Sequence, residues 1–460
     1  MDRLDDAPWN RMHTRIMLVL GIGWALDAFE VTIINNVLTP LVTDFGIDTT
    51  RALIGNWTVW FAGLLIGALG FGWLADRLGR KRLFIVTLIL YSVATVLAAT
   101  APSFEVFLLF RFLTAIGVGG EYSAITSAIG EYVPARYRGR ATVVTMNFFS
   151  VGAVFASLVA LFALGPLSVF FTTQLGIAGW RGALLIGAAA ALYGLWARRV
   201  IPESARWLLS QNRTAEADAV ITSVTGIARD GAVRGPTVPA RRSLRAQLGE
   251  LWSPALRRRT TFACTVDFAA SLAYYGIITM LSAFILVAGV VEIDSAQVPY
   301  VLLIGNVLGA LLGGYLLALA VDRYGRKVCL IAAFVISIIG TVGLGLAGTA
   351  GSLPLTVIGF TVALGGATTA WISVYTVVSE IYPTHLRATG VGLMVGAGRI
   401  GGLIGVLAPA LLVDSFGLLT AVLATVAIFS SGLLAALWWY RNGPEAAGRT
   451  LEELAPAARA

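Results

Sequence analysis

The chain has 460 residues, 57% of them hydrophobic and 13% charged, with a formal net charge of +8 and a mean hydropathy of +0.82. A soluble protein carries about a quarter charged residues, so a water-soluble globule is excluded. Nor does the net positive charge indicate a nucleic-acid partner, because nearly all Lys and Arg lie in the tails and in the segments between long apolar runs.

Twelve apolar runs follow one another over residues 16–41, 54–74, 83–101, 106–132, 141–164, 182–201, 260–289, 297–320, 329–348, 354–381, 390–413 and 418–440. Each is long enough to cross about 30 Å of hydrocarbon. They lack period-2 alternation, and in that solvent every backbone amide must be satisfied within the segment, so the prediction is helices rather than a barrel. A polar insertion over 202–258 splits the runs into six and six. The expected organisation is an N-terminal six-helix bundle (1–201), a central loop with short helices (202–258), a C-terminal six-helix bundle (259–440) and a tail (441–460).

No segment between the runs resembles a soluble catalytic domain, so no enzyme is expected. Cys264 and Cys329 are the only cysteines and read as small core residues; His13 and His385 are isolated, and neither a metal site nor a cofactor is predicted. The N-terminus MDRLDDAPWNRMHTR lacks a short apolar core and a small-residue cleavage pattern, so the first run is expected to stay in the mature protein. Gly117-Val-Gly119-Gly120 and Gly340-Thr-Val-Gly343-Leu-Gly345 imitate nucleotide loops but lie inside apolar runs, where small residues serve close helix packing.

With the N-terminus placed in the cytoplasm, 29 of the 33 Lys and Arg residues fall on that side, Arg51 and Arg181 lie outside, and Arg111 and Arg399 lie within helices. That positive-inside asymmetry predicts an even number of crossings, both termini cytoplasmic, in a cell inner (plasma) membrane. The bilayer itself is therefore an expected partner, and the basic loops could meet anionic headgroups.

The two halves repeat their charged punctuation. After the second run comes Gly72-Trp-Leu-Ala-Asp76-Arg77-Leu-Gly79-Arg80-Lys81-Arg82, and after the eighth Ala318-Leu-Ala-Val-Asp322-Arg323-Tyr-Gly325-Arg326-Lys327. After the fourth comes Glu131-Tyr-Val-Pro134-Ala-Arg-Tyr-Arg138-Gly-Arg140, and after the tenth Glu380-Ile-Tyr-Pro383-Thr-His-Leu-Arg387. The aspartates are 246 residues apart and the glutamates 249, which indicates a duplicated six-helix unit. These loops resemble the signature of the major facilitator superfamily, over nearly the whole chain. Pro202-Glu203-Ser204-Ala205-Arg206-Trp207-Leu208 resembles the motif that sugar porters and their organic-ion relatives carry after helix six, with Ala205 replacing the usual second proline. The resemblance implies twelve transmembrane helices in two pseudo-symmetric bundles, acting as a monomeric secondary transporter of a small-molecule substrate and a proton.

Asp76, with its neighbours Arg77 and Arg80, stands where an acid can pair with Arg138 or Arg140 when the cytoplasmic side closes, with Glu131 as a further acid. Asp322, Arg323, Arg326, Glu380 and Arg387 would repeat the arrangement, and the resemblance adds Glu203 and Arg206. Ala318 in place of the first half's Gly72 suggests a less tightly packed second loop. The alternative is that these charges only set topology.

Ionisable residues within spanning helices are costly and mark functional candidates. At 1.5 Å per residue, Asp27 lies ~16 Å from the inner end of its helix, with Glu30 almost one turn further out on roughly the same face. Arg111 and Arg399 lie at depths of ~20 Å and ~14 Å from the inside, so Asp27 can meet either; Glu121 is deeper toward the cytoplasm. Asp27 is the first candidate for proton coupling, followed by Glu30 and Glu121; the alternative is a permanent Asp–Arg structural pair. The stretch Gly21-Ile-Gly-Trp24-Ala-Leu-Asp27-Ala-Phe29-Glu30 looks most like aromatic-acid and nicotinate-type carriers, with Glu30 replacing a usual Asp.

Arg399, in Gly396-Ala-Gly398-Arg399-Ile-Gly401-Gly402, offers a planar fork to a carboxylate; organic-anion transporters, which the segment resembles, have an arginine at that point. Alternatively it neutralises Glu121 or Asp27. Arg111, Tyr122, Asn147, Tyr275, Asn306, Trp371 and Tyr375 complete the candidate substrate cavity, with Tyr274 beside them. Trp371 and Tyr375, one turn apart, would stack a planar ligand. The expected function is proton-coupled symport of a small organic anion, an aromatic carboxylate being the first candidate. The alternatives are a sugar or polyol proton symporter and a non-transporting membrane receptor or structural protein with this fold.

Overall fold

The computed structural model describes residues 7–78, 80–134, 137–189, 202–211, 213–226, 244–287, 290–293, 297–383 and 386–443, and every regular element among them is helical. In the first half, α1 (Arg11–Asn36) continues after a break at Val37 into α2 (Leu38–Phe45), followed by α3 (Thr49–Leu78), α4 (Arg80–Ala99), α5 (Phe104–Tyr132), α6 (Arg138–Leu164), α7 (Ser168–Gln174) and α8 (Gly179–Ala189). The polar segment contributes the short helices α9 (Ala205–Ser210), α10 (Thr214–Thr225) and α11 (Leu244–Leu251). The second half comprises α12 (Arg257–Thr279), α13 (Val298–Ile304), α14 (Leu312–Tyr324), α15 (Arg326–Thr349), α16 (Leu353–Ile381), α17 (Arg387–Phe416) and α18 (Leu418–Asn442). Two stretches are wound as π-helix, Met280–Val287 continuing α12 and Gly305–Leu311 joining α13 to α14.

Among the described residues nine helices, of 19–26 residues, are long and apolar enough by themselves to cross a bilayer. With the charge-bearing α3 and α5, 30 and 29 residues long, and α8 at the start of the sixth run, they account for the twelve apolar segments. The helix α7 was not foreseen: it falls between the fifth and sixth runs and meets the following helix at 97°. Its Val169 and Phe170 are exposed, which suits a short helix lying along an apolar boundary.

Helix ends follow local chemistry. Asn10 accepts from the Met12 and His13 amides while its own amide donates to His13 Nδ1, a capping box that starts α1 earlier than its apolar pattern does. Between α14 and α15 a single residue turns the chain, Gly325, at φ 83° and ψ 157°. That region is open essentially to glycine alone, so the glycine of the repeated Asp-Arg-x-Gly-Arg-Lys motif is required by the turn it makes.

The duplication is visible in the packing. The pairings α1–α6, α3–α5, α4–α5, α4–α8 and α6–α8 recur in the second half as α12–α17, α14–α16, α15–α16, α15–α18 and α17–α18. Across the halves α6 packs on α13 and α14, and α17 packs on α3; these two contacts are equivalents under the same repeat. Glycines allow the close approaches: a Cβ at Gly152 in α6 would overlap the Ala25 carbonyl oxygen of α1, and one at Gly401 in α17 the Phe268 carbonyl oxygen of α12. With lipid tails as apolar as the side chains themselves, such packing is what holds helices together. Leu65, Ile66, Ile89, Leu109, Phe162, Ile339 and Leu434 are all at least half-exposed or nearly so, the inverse of a soluble surface and what hydrocarbon accepts.

Gly152→Val should lower the melting temperature of the detergent-solubilised protein, by the equivalent of about 1–3 kcal/mol of overpacking. Gly392→Ala, where an added Cβ meets nothing within 4 Å, should leave the melt unchanged or slightly higher.

Candidate functional site

Three groups of buried polar side chains occupy the centre of the bundle, and α1 contributes to each. The first is closed on itself. Arg111 of α5 donates from Nη1 to Glu30 Oε2 at 3.0 Å, from Nη2 to the Glu30 carbonyl oxygen at 2.9 Å and from Nε to Asn56 Oδ1 at 3.3 Å. The Thr95 hydroxyl donates to Glu30 Oε1 at 2.9 Å, and the guanidinium lies 4.3 Å from the Trp60 ring centroid. Arg111 and Glu30 are 1% and 2% exposed. Each charge thus has its counter-charge and its remaining donors or acceptors occupied, the condition under which a buried ion pair is tolerated.

The sequence allowed Asp27 to meet Arg111. The structure pairs Arg111 with Glu30 instead, because Glu30 lies almost one turn further along α1, level with Arg111. Asp27 faces Glu121 of α5, and the two carboxyls adjoin. Both are wholly buried, and among the described residues no donor satisfies hydrogen-bond geometry at any of their oxygens. The nearby Thr87 hydroxyl is turned to the Leu83 carbonyl oxygen, at 3.1 Å.

The third group spans the halves. Arg399 of α17, 8% exposed, lies near the Tyr275 hydroxyl of α12 and acts electrostatically on it, on Asp27 and on Asp267. Around it runs an aromatic wall. Trp371 of α16 stacks on Trp24 of α1, centroids 6.1 Å apart and planes at 14°. Phe149 and Tyr375 meet Trp371 edge-on at 5.2 and 5.1 Å, and Tyr274 lies parallel at 6.4 Å. Tyr275 packs against Trp57 and Phe61 of α3 at 5.4 and 5.1 Å. Trp24, Trp57, Phe61 and Phe149 were not singled out from the sequence. Trp24 could have been, since it precedes Asp27 by three residues and so shares its face of the helix.

The two amides of the expected cavity are engaged between halves. Asn147 donates to the Leu311 carbonyl oxygen at 3.2 Å, and Asn306 to Ser157 Oγ at 3.4 Å. Both acceptors or donors in the second half belong to the π-wound stretch Gly305–Leu311, a winding that recurs at functional positions.

At the basic-loop end, Glu203 Oε1 accepts from the backbone amides of Lys81, at 3.3 Å, and Ser204, at 3.1 Å. It thereby ties the segment after the sixth run to the start of α4. Arg140 and Arg323 are exposed and Arg326 is half-buried. The side chains of Asp76, Arg77, Arg80, Tyr122, Glu131, Arg138, Arg206, Asp322, Glu380 and Arg387 lie outside the described ones.

The family model of sugar (and other) transporters matches residues 47–458. The chain belongs to that family. It is 30% identical over 412 residues to the niacin transporter NiaP of Acinetobacter baylyi, covering 88% of each chain. It is also 30% identical to the putative niacin/nicotinamide transporter NiaP of Bacillus subtilis, covering 85% of this chain and 86% of that one. Among solved structures, the major facilitator proton:xylose symporter XylE bound to 6-bromo-6-deoxy-D-glucose superposes with a TM-score of 0.74 at 20% identity, over 96% and 98% of the two chains. A partially occluded inward-open form of XylE from E. coli gives 0.73 at 20% identity, over 96% and 100%. The transporter is thus a multi-pass membrane protein of the major facilitator type, built of two related halves.

Arg111→Met should destabilise the transporter by about 3–5 kcal/mol, because it strands a desolvated Glu30 carboxylate. Glu30→Met combined with Arg111→Met should recover most of that loss in thermal melts; a double variant as unstable as the single one would contradict the pairing.

Proposed function

We propose that this transporter carries a small aromatic carboxylate together with a proton across the plasma membrane, by alternating access of its two bundles. The observation that carries the reading is the position of Arg399. Among the described residues it is the buried guanidinium at the boundary of the halves, next to a wall of indole and phenol rings, whereas Arg111, also buried, is committed to Glu30 and Asn56. A planar fork suits a carboxylate, and flat rings suit an aromatic body. Niacin, the solute named for two relatives, has that composition: a carboxylate on a planar ring. A sugar would offer neither an anion for Arg399 nor a flat face for Trp24 and Trp371.

Proton coupling rests on Asp27 and Glu121. Two adjoining buried carboxyls do not both stay ionised in an apolar site, so the pair is suited to carry a proton. Arg399 links that pair to the substrate: a carboxylate that draws the guanidinium away alters the field on Asp27. Glu30, held by Arg111 and Thr95, is the structural counterpart rather than the carrier. The Lys and Arg asymmetry of the loops supports both termini in the cytoplasm.

In proteoliposomes, Asp27→Asn should abolish accumulation of nicotinate driven by an inward proton gradient and retain counterflow exchange. Accumulation at the wild-type level would remove Asp27 from the coupling. Arg399→Ala should raise the Kd for nicotinate or benzoate at least tenfold. Competition by glucose or inositol, with none by either carboxylate, would replace the anion reading with the sugar one.

A further inference from the structure

The centre of the bundle holds a third buried carboxyl that the coupling scheme does not use. Asp267, on α12, is 1% exposed, and its Oδ1 has no hydrogen-bond donor among the described residues. Its Oδ2 occupies the space where a Cβ on Gly398 of α17 would stand. The next residue is Arg399, which among the described residues is the one cation acting on Asp267. A glycine that makes room for a carboxylate, followed by a guanidinium that attracts it, forms a carboxylate seat on α17. Asp267 Oδ2 lies at that seat.

Among the described residues the charges at this depth do not balance. Glu30 and Arg111 neutralise one another, which leaves Arg399 acting on Asp27 and Asp267, with Glu121 beside Asp27. An added carboxylate on Arg399 makes the imbalance worse, and a mobile positive charge small enough to reach all three acids is the proton. We propose that Asp267 is a second proton-binding site, which attracts Arg399 from beside Gly398 and takes up a proton when a carboxylate substrate claims the guanidinium. The exchange is balanced: the electrostatic attraction between Asp267 and the guanidinium is traded for a substrate–guanidinium contact. The proton enters from water on the open side and leaves with the substrate on the other. This rests on the reading of Arg399 as a carboxylate site.

The ionisable groups that act on Asp267 are few. Arg399 faces it from α17, with Cys264 and Tyr275 on its own helix, and Asp27 of α1 acts on the same arginine. From α18 the neighbours of this helix are Gly432 against Ala269 and Trp439 against Phe262. From α16 it is met by Trp371 against Tyr274, and Arg259, at the far end of α12, donates to the Ile381 carbonyl oxygen.

The test is the number of protons taken up when nicotinate binds the purified full-length transporter. Calorimetry in buffers of different ionisation enthalpy gives that number, and benzoate serves as a second probe. Asp267→Asn should lower it by about one proton, the linkage expected of one titrating group. It should also leave Kd at pH 8 equal to or tighter than wild type, since the competitor for Arg399 is gone. Asp267→Glu should restore the wild-type uptake; Asp267→Ser provides the same comparison if the asparagine variant folds poorly. Unchanged proton uptake in Asp267→Asn or Asp267→Ser, or no uptake by the wild type, would overturn the proposal while leaving the carboxylate site standing. Failure of the wild type to bind either carboxylate would remove that site, and this proposal with it.

Discussion

An ionised side chain removed from water must meet an opposite charge or give up its ionisation, and the interior of this bundle is arranged around that requirement. Glu30 and Arg111 meet it permanently: two helices, a threonine, an asparagine and an indole face close around them. One turn along α1, Asp27 meets another carboxyl instead of a cation. The same helix therefore carries a closed charge pair and, one turn away, an acid that adjoins a second acid. The difference arises from a displacement of about one helical turn, ~5 Å, because α5 presents Arg111 at one level and Glu121 nearer the basic-loop end.

Close packing makes that arrangement usable. Within each half, helices approach through glycines until backbones touch, as at Gly152 on Ala25 and Gly401 on Phe268. Between the halves the contacts are aromatic rings and single hydrogen bonds from Asn147 and Asn306. An interface of flat rings and a few polar contacts can part more readily than interlocked backbone, so the boundary between halves is where movement costs least. Arg399 and the aromatic wall lie at that boundary, and a substrate bound there would be felt by both bundles.

Much of this architecture was legible in the chain. Apolar runs near 20 residues marked the helices, because hydrocarbon thickness sets a length. The recurrence of Asp76 at Asp322, and of Glu131 at Glu380, exposed the duplication. Gly325 also carried readable information, since the motif keeps a glycine where one residue must turn the chain through a conformation closed to others. Less visible were α7, whose seven residues fall below the length of a spanning run, and the π-wound stretches at Met280–Val287 and Gly305–Leu311. A change of winding leaves no mark on hydropathy.

The amino-acid sequence alone determined that the chain lives in a membrane, that it crosses as helices, and that Asp27, Glu30, Arg111, Glu121 and Arg399 sit deep within them. Those conclusions follow from composition and from depth along a helix, both of which are one-dimensional. Only the tertiary structure decided which acid meets which base. Arg111 was within range of Asp27 by depth, yet the rotation and offset of α1 against α5 gave it to Glu30. They also left Asp27 beside Glu121 and brought Asp267 from α12 to Arg399. Depth is read along one helix, whereas pairing depends on the azimuth and register of two, and those are set by packing across the whole bundle.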